Sequence, residues 1–181
     1  VDDGSDDGTL EMLRRATFSG FDLKVVALEH GGPARARNRG IAEGSADRVL
    51  LLGDDMIPEP GCVAAHLAMG QDGAVQGMID WDPAVGITDV MRFLAPEGPQ
   101  FWFKGLGEGS AVRWSSVVSS NLSAPTRWFA DEPFDERFTD ACLEDTELAW
   151  RWHRRGWRVI FNADARCLHR HRYDDFRTVL A

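Results

Sequence analysis

Short apolar runs alternate along this chain with segments in which apolar residues recur every three or four positions. The runs typical of β-strands are residues 23–28, 48–52, 74–79, 117–123 and 157–161. Helical spacing is found over residues 9–16, 34–42, 61–69 and 142–155, with Thr9 as a suitable N-cap for the first helix. In the first half of the chain, strands and helices alternate with short connections. This pattern predicts an α/β fold with a mostly parallel sheet flanked by helices.

Acidic pairs follow two of the strand-like segments. Asp2-Asp3 comes directly after Val1, and Asp54-Asp55 follows the apolar run 48–52 after a single glycine. Ligands of parallel α/β sheets bind beyond the carboxyl ends of the strands. We therefore expect both acidic pairs to face one crevice.

The size and charge of the chain narrow its function. With 181 residues, 44% of them hydrophobic, it is long enough for one domain with a substantial core. The net charge of −9 argues against a nucleic-acid groove, which needs clustered lysine and arginine. A phosphorylated small molecule remains compatible with this charge when a divalent cation neutralises the phosphate locally.

Neither a membrane span nor a disulfide framework is visible. The longest purely aliphatic run, residues 49–52, is far too short to cross a bilayer, and no signal peptide is visible in the given residues. We expect a cytoplasmic protein, with peripheral membrane contact as an option. Cys62, Cys142 and Cys167 are odd in number and widely spaced, which predicts reduced, buried thiols.

Asp54 and Asp55 are candidate metal ligands. Adjacent carboxylates repel each other unless a cation lies between them and a ligand, and Mg²⁺ or Mn²⁺ favours such oxygen ligands together with substrate phosphates. A solvated turn is the alternative. His169 and His171 lie on one side of an extended chain, so one of them is placed to bind a metal, although a structural histidine pair fits the same spacing.

Two helix starts carry further candidates. Arg37 lies near the start of the helix after Gly31-Gly32-Pro33, where guanidinium groups and free amides suit a diphosphate, or form a solvated basic face. Glu144-Asp145 opens a later helix, either as dipole capping or with one carboxylate as general base. The aromatic stretch 101–103 is either a platform for an acceptor sugar or lipid, or packing.

The order of these motifs resembles the family-2 glycosyltransferases. It runs Asp-Asp-Gly-Ser-x-Asp-Gly-Thr, Gly-Pro-Ala-x-Ala-Arg-Asn-x-Gly, Leu-x-Asp-Asp, Ser-Ser-Asn-Leu-Ser, Phe-Asp-Glu-x-Phe, Glu-Asp and a late His. The resemblance implies a GT-A fold and inverting transfer of a sugar from a nucleoside-diphosphate sugar to a glycan, lipid-linked or small-molecule acceptor, with no nucleic acid as partner. It also implies Mn²⁺ or Mg²⁺ as cofactor.

Carried over residue by residue, the resemblance assigns a role to each candidate. Asp3, with Asp2 beside it, would contact the nucleotide base, and Arg37 would approach the nucleotide. Asp54 would lie near the ribose or diphosphate, and Asp55 would bind the metal. Asp145 would be the general base, with Glu144 beside it on the substrate side. His169 would assist metal or diphosphate binding.

The chain also departs from the family pattern. Gly53 stands where many relatives carry an aspartate, and no Gln-x-x-Arg-Trp follows the Glu-Asp pair, which argues against a processive polysaccharide synthase. The first strand of the family is expected before Val1. We expect one domain, with a nucleotide part over about residues 1–80 and an acceptor and catalytic part over about residues 81–181.

Two other functions remain open from the sequence. One is a non-catalytic or degenerate domain that binds a nucleotide sugar without turnover. The other is a sugar-phosphate nucleotidyltransferase, which would share the sheet and the acidic metal site. Such an enzyme normally needs a glycine-rich, basic N-terminal loop for its triphosphate, and none is visible in this sequence.

Overall fold

The computed structural model describes residues 1–69, 72–96, 98–103, 105–141 and 143–177. The helices are α1 Thr9–Arg15, α2 Pro33–Glu43, α3 Cys62–Ala68, α4 Asp89–Leu94, α5 Thr126–Asp131 and α6 Glu144–Arg154. The strands are β1 Arg48–Leu52, β2 Met56–Pro58, β3 Ala74–Trp81, β4 Asn121–Pro125 and β5 Val159–His169. The four predicted helices are confirmed to within two residues at each end, except that Cys142, the predicted start of the last one, lies outside the described residues.

One mixed sheet has the strand order β1-β4-β3-β5-β2. Within it β3 and β5 are parallel, whereas β4 runs antiparallel to both β1 and β3, and β2 runs antiparallel to β5. The α/β class is therefore confirmed, but the expectation of a mostly parallel sheet is wrong for the described strands. Apolar runs do not encode strand direction. The connection from β3 to β4 contains the short helix α4, and β4 lies between β1 and β3 in the opposite direction.

The predicted strand at residues 23–28 is reduced to a single bridge. Asp2 and Ala27 form an isolated parallel pair, in which the Asp2 amide donates to Val26 O at 2.8 Å. Leu23 stays exposed, so the run lacks the buried face that would extend the pairing. The prediction of Thr9 as N-cap is also wrong. Gly8 occupies that position, and the Thr9 amide donates to Asp7 Oδ1 at 3.0 Å.

Aromatic packing fixes α6 against α5. Leu148 and Trp152, four residues apart on one helix face, are almost fully buried, and the Trp152 ring meets Trp128 and Phe129 at centroid distances of 5.2 Å. Burying one such side chain contributes about 2–3 kcal/mol. This packing sets the position of the α6 N-terminus, where the Glu-Asp pair lies.

A buried polar cluster joins four elements at the centre of the sheet. His66 on α3 lies 2.9 Å from Asn121 Oδ1 and 3.0 Å from Ser123 Oγ, and burial lowers the pKa of its imidazole. Asn121 Nδ2 donates to Met78 O at 3.0 Å and to Ala165 O at 2.8 Å. The asparagine of the Ser-Ser-Asn-Leu-Ser motif therefore holds β4 to β3 and β5.

Two of the cysteines also lie in the core. Cys62 and Cys167 are free and buried as predicted, with their sulfur atoms 3.7 Å apart, and burial raises the pKa of both thiols. Cys142 lies outside the described residues. Throughout the part of the chain that the structure describes, no helix has the length and apolarity needed to cross a bilayer.

Candidate active site

A cleft of about 550 Å³ gathers five of the eight predicted site residues. Its lining includes Arg37, Asp55, Glu144, Asp145 and His169, together with residues 99–102 and 115–120. These side chains come from α2, the turn after β1, the start of α6 and the end of β5. The other three predicted residues, Asp2, Asp3 and Asp54, do not line this cleft. A larger cavity of about 720 Å³ lies between α2 and α5, and its described lining contains none of the eight.

One corner of the cleft carries a group of potential metal ligands. One ligand atom each from Asp55, His169 and His171 lies within 4.8 Å of the others. His169 Nε2 is 2.7 Å from Asp55 Oδ2. Burial alone would raise the pKa of Asp55, but the hydrogen bond and charge of His169 outweigh it, so the pKa is lowered. The sequence placed His171 on the same side of the chain as His169, and the structure adds it to the ligand group.

The residues at this corner fit a divalent cation. His169 is only 4% exposed, its ring stacks on Trp81 at 5.1 Å, and its Nδ1 has no hydrogen-bond partner among the described residues. The imidazole is therefore fixed in place before any ligand arrives, and one of its polar atoms is unsatisfied. A carboxylate with two imidazoles suits Mn²⁺ better than Mg²⁺, which prefers oxygen ligands only.

The aromatic stretch divides between packing and exposure. Trp81, Phe101 and Phe103 are buried. Trp81 stacks on His169 and Phe101 lies edge-on to the imidazole at 5.5 Å, whereas Phe103 packs against Phe101 and Phe161. Trp102 is exposed and lines the cleft. Of the two roles that the sequence left open, packing applies to Phe101 and Phe103.

Asp145, at the start of α6, also lines the cleft. Its Oδ2 accepts a hydrogen bond from the Ser119 amide at 3.1 Å, and its Oδ1 accepts one from the Thr146 amide at 2.7 Å. Burial, followed by the negative charge of Glu144, raises the pKa of Asp145 above its ordinary value of 3.8 despite these bonds. A carboxylate with a raised pKa is a stronger base while it stays ionised near neutral pH. No sequence signal identified Ser119 as its partner.

Arg37 and Glu144 are paired with each other. Arg37 Nη1 donates to Glu144 Oε1, and the guanidinium also lies over the Phe134 ring, 5.4 Å from its centroid. Glu144 is 4% exposed, and a buried carboxylate requires such a partner. Both residues line the cleft, but their charges are already matched within the protein.

The three predicted site residues outside the cleft are Asp2, Asp3 and Asp54. The carboxylate of Asp3 accepts hydrogen bonds from the amides of Gly31 and Gly32 at 3.1 and 2.9 Å. Asp2 is buried, and its Oδ1 has no partner among the described residues. Asp54 is exposed on the turn after β1. The expectation that both acidic pairs face one crevice is therefore wrong for this cleft, because Asp55 is the one carboxylate of the two pairs that lines it.

Known proteins share sequence with this chain. The family described as Glycosyl transferase family 2 matches residues 1–107, more than half of the chain. Poly-beta-1,6-N-acetyl-D-glucosamine synthase of Staphylococcus aureus (strain COL) is 21% identical over 182 residues, covering 92% of this chain and 41% of the relative. The chain thus spans less than half the length of that relative. The sequence analysis argued against a processive polysaccharide synthase. This relative is named as a polysaccharide synthase, so the comparison does not support that argument.

Solved structures share the fold. The mannosyltransferase PcManGT from Pyrobaculum calidifontis, in complex with GDP-Man and Mn²⁺, has a TM-score of 0.66 and 20% identity, covering 98% of this chain and 48% of that chain. S. aureus TarS 1–349 in complex with UDP-GlcNAc has a TM-score of 0.65 and 19% identity, covering 98% and 50%. These likenesses confirm the predicted GT-A-like fold. The family match over residues 1–107 shows that the chain belongs to glycosyltransferase family 2.

Proposed function

We propose that this chain carries the active site of an inverting glycosyltransferase, which moves a sugar from a nucleoside-diphosphate sugar to an acceptor hydroxyl. One observation carries the proposal: a carboxylate with a raised pKa, Asp145, and a group of potential metal ligands around Asp55 line the same cleft. The family match supports it, as do the nucleotide sugars bound in the complexes of PcManGT and TarS.

The donor side of the cleft holds the diphosphate. Asp55 and His169, with His171, would hold a divalent cation, for which Mn²⁺ fits this ligand set better than Mg²⁺. When bound, the cation supplies positive charge that stabilises the leaving diphosphate. In this proposal residues 1–80 form the nucleotide part, with Asp2 and Asp3 toward the base and Asp54 toward the ribose. Arg37 approaches the nucleotide from the cleft wall, where its ion pair also holds Glu144.

The acceptor side supplies the base, from within residues 81–181. Asp145 takes the proton of the acceptor hydroxyl as that oxygen forms its bond to the anomeric carbon. The bond from this carbon to the diphosphate oxygen breaks in the same step, and the electron pair leaves with the diphosphate. Because attack and departure occur on opposite faces of the sugar, the configuration inverts. The hydrogen bond from the Ser119 amide keeps Asp145 Oδ2 in position.

Calorimetric titration with UDP, GDP and dTDP, each with and without Mn²⁺, tests the donor site. We expect one nucleotide to bind in a metal-dependent manner, and Asp55→Asn to abolish that binding. Asp89→Asn is the matched control, because Asp89 is an exposed aspartate on α4 outside the cleft. Failure of all three nucleotides to bind the unchanged chain with Mn²⁺ would overturn the donor site.

The alternatives make different predictions. A binding domain without turnover would bind the nucleotide but transfer no sugar, so transfer from the matching nucleotide sugar, assayed with a panel of acceptors, separates the two functions. A nucleotidyltransferase would release pyrophosphate from a nucleoside triphosphate and a sugar phosphate. The relatives do not favour that reaction, since they are named as a synthase and a mannosyltransferase.

A further inference from the structure

An apolar pocket opens beside the catalytic cleft. It has a volume of about 340 Å³ and is lined by Trp114, Phe138, Leu143, Thr146, Glu147 and Trp150. Leu143 and Thr146 also line the cleft, so the two cavities share a wall. Asp145 lies between these two residues in the chain. A molecule whose hydroxyl reaches Asp145 therefore has the apolar pocket directly next to it.

The carboxylate and the hydroxyl beside this apolar pocket already have partners within the protein. The carboxylate of Glu147 accepts from Arg151 Nε at 2.8 and 3.0 Å and from Arg151 Nη2 at 2.9 Å. The Thr146 hydroxyl is directed to Asp145 Oδ1, 3.5 Å away. A sugar ring in this pocket would lose hydrogen bonds to water, and neither the Glu147 carboxylate nor the Thr146 hydroxyl is free to replace them. The chemistry of the wall therefore selects an apolar occupant.

The apolar side chains of the pocket are unusually exposed. Leu143 is 62% exposed and Trp150 is 41% exposed, and the Trp150 ring meets Trp114 edge-on at 5.1 Å. Leu143 is also the single non-glycine residue with a positive φ among those described, at 67°. A leucine in the left-handed region is strained, and such strain is concentrated at binding and active sites. Here the strained residue places its side chain where pocket and cleft meet.

We propose that the apolar pocket binds an alkyl chain attached to the acceptor, so that the enzyme glycosylates a lipid-like hydroxyl compound. The assignment of this alkyl chain to the acceptor rests on the proposed function, whereas the preference of the pocket for an alkyl chain does not. Its occupant extends from the hydroxyl at Asp145 past Leu143, and packs against Trp114 and Trp150. Binding removes apolar surface of both partners from water.

Binding of n-alkyl β-D-glucosides below their micelle concentrations tests the pocket. Methyl, hexyl, octyl and phenyl β-D-glucosides are titrated calorimetrically. Each fully buried methylene strengthens binding about fourfold, so even partial burial predicts at least a tenfold tighter Kd for octyl than for methyl. In Trp150→Ala and Leu143→Gly, the ratio of the Kd for methyl to the Kd for octyl glucoside should fall below about threefold. Phe93→Ala should retain it, since Phe93 is equally exposed but lies on α4 against Phe176.

Each outcome decides one statement. Equal Kd values for methyl and octyl, a ratio that survives in both pocket variants, or tighter binding of phenyl than octyl would overturn the alkyl assignment. Leu143→Gly removes the strained backbone together with the side chain, so misfolding does not account for its loss of binding. Nucleotide titration with Mn²⁺ is run in parallel on the same proteins. Alkyl selectivity without nucleotide binding would overturn the proposed function alone, and nucleotide binding without alkyl selectivity would overturn the pocket alone.

Discussion

Arg37 and Glu144, 107 residues apart in the chain, form an ion pair that joins α2 to the first turn of α6. The guanidinium packs over Phe134, and Glu144 is buried. Asp145 is the next residue along the chain, so this pair fixes the backbone that carries the candidate base. It also places one negative and one positive charge within reach of the Asp145 carboxylate.

Glu144→Gln should shift the pH dependence of the reaction. Burial raises the pKa of Asp145 most, and the charge of Glu144 raises it further. The base acts when ionised, so kcat/KM rises with pH through that pKa. Removing the Glu144 charge lowers the pKa and leaves the Arg37 charge to lower it more. We expect the acidic limb of the kcat/KM profile to move to lower pH. Glu11→Gln, at an exposed position on α1, is the control and should leave the limb in place.

Asp145→Asn tests the base directly. An asparagine keeps the shape and accepts one of the two amide hydrogen bonds, but it takes no proton from the acceptor. We expect kcat to fall on the order of 10²–10⁴-fold, with nucleotide affinity in the presence of Mn²⁺ nearly unchanged. Steady-state rates and nucleotide titration on the same preparation check this. Parallel losses of rate and nucleotide binding would contradict the role of Asp145 as base.

The same substitution should be less destabilising at neutral pH than at acid pH. The pKa of Asp145 is raised on folding, so the folded state binds its proton more tightly than the unfolded state. Stability therefore falls as the pH rises from 3.8 through the raised pKa. Asparagine removes this loss. We therefore compare the Tm of Asp145→Asn minus the Tm of the unchanged protein at each pH. Measured by calorimetry, this difference should be more positive at pH 7 than at pH 4. A larger relative Tm at pH 4 would contradict the raised pKa.

His171→Ala should weaken metal binding. His171 is exposed, unlike His169, and its ring lies 5.8 Å from that of His169. Loss of one of three protein ligands should raise the Kd for Mn²⁺ at least about tenfold, since even partners behind the ligands are worth 10–100-fold. Mn²⁺ titration followed by electron paramagnetic resonance measures this. His153→Ala removes another exposed histidine, on α6, and serves as control. Equal affinities of the two variants would exclude His171 as a ligand.

Local patterns in the sequence predicted the helices, most strands and part of the candidate site, because these depend on residues that are close together in the chain. The aliphatic run before Asp55 and the helical spacing of Leu148 and Trp152 are local signals, and they place Asp55 and Asp145 at element ends. The direction of β4 was not predictable, since pairing depends on partners distant in the chain. The strain at Leu143 and the bond from Ser119 to Asp145 also have no periodic signal, because each arises from tertiary placement of a loop.

Gly77 is required by the polar cluster at the centre of the sheet. A Cβ atom at this position of β3 would lie 2.2 Å from both Ala165 O and Asn121 Nδ2. Neither atom is free to move, since Ala165 O is backbone in β5 and Asn121 bonds to His66 on its other side. Gly77→Ala should therefore push Asn121 out of its bonds to β3 and β5, at a cost of about 3 kcal/mol or more in the free energy of unfolding.

Gly73→Ala is the matched control for this substitution. It makes the same chemical change just before β3, where the added Cβ would meet only Arg158 O, at an ordinary 3.8 Å. Restricting the unfolded chain should make this variant neutral or slightly stabilised, by about 0.4–1 kcal/mol where its backbone suits alanine. Urea unfolding of the two variants side by side measures the difference. If Gly77→Ala unfolds at the same urea concentration as Gly73→Ala, then Asn121 can relax, and the rigidity ascribed to the centre of the sheet is wrong.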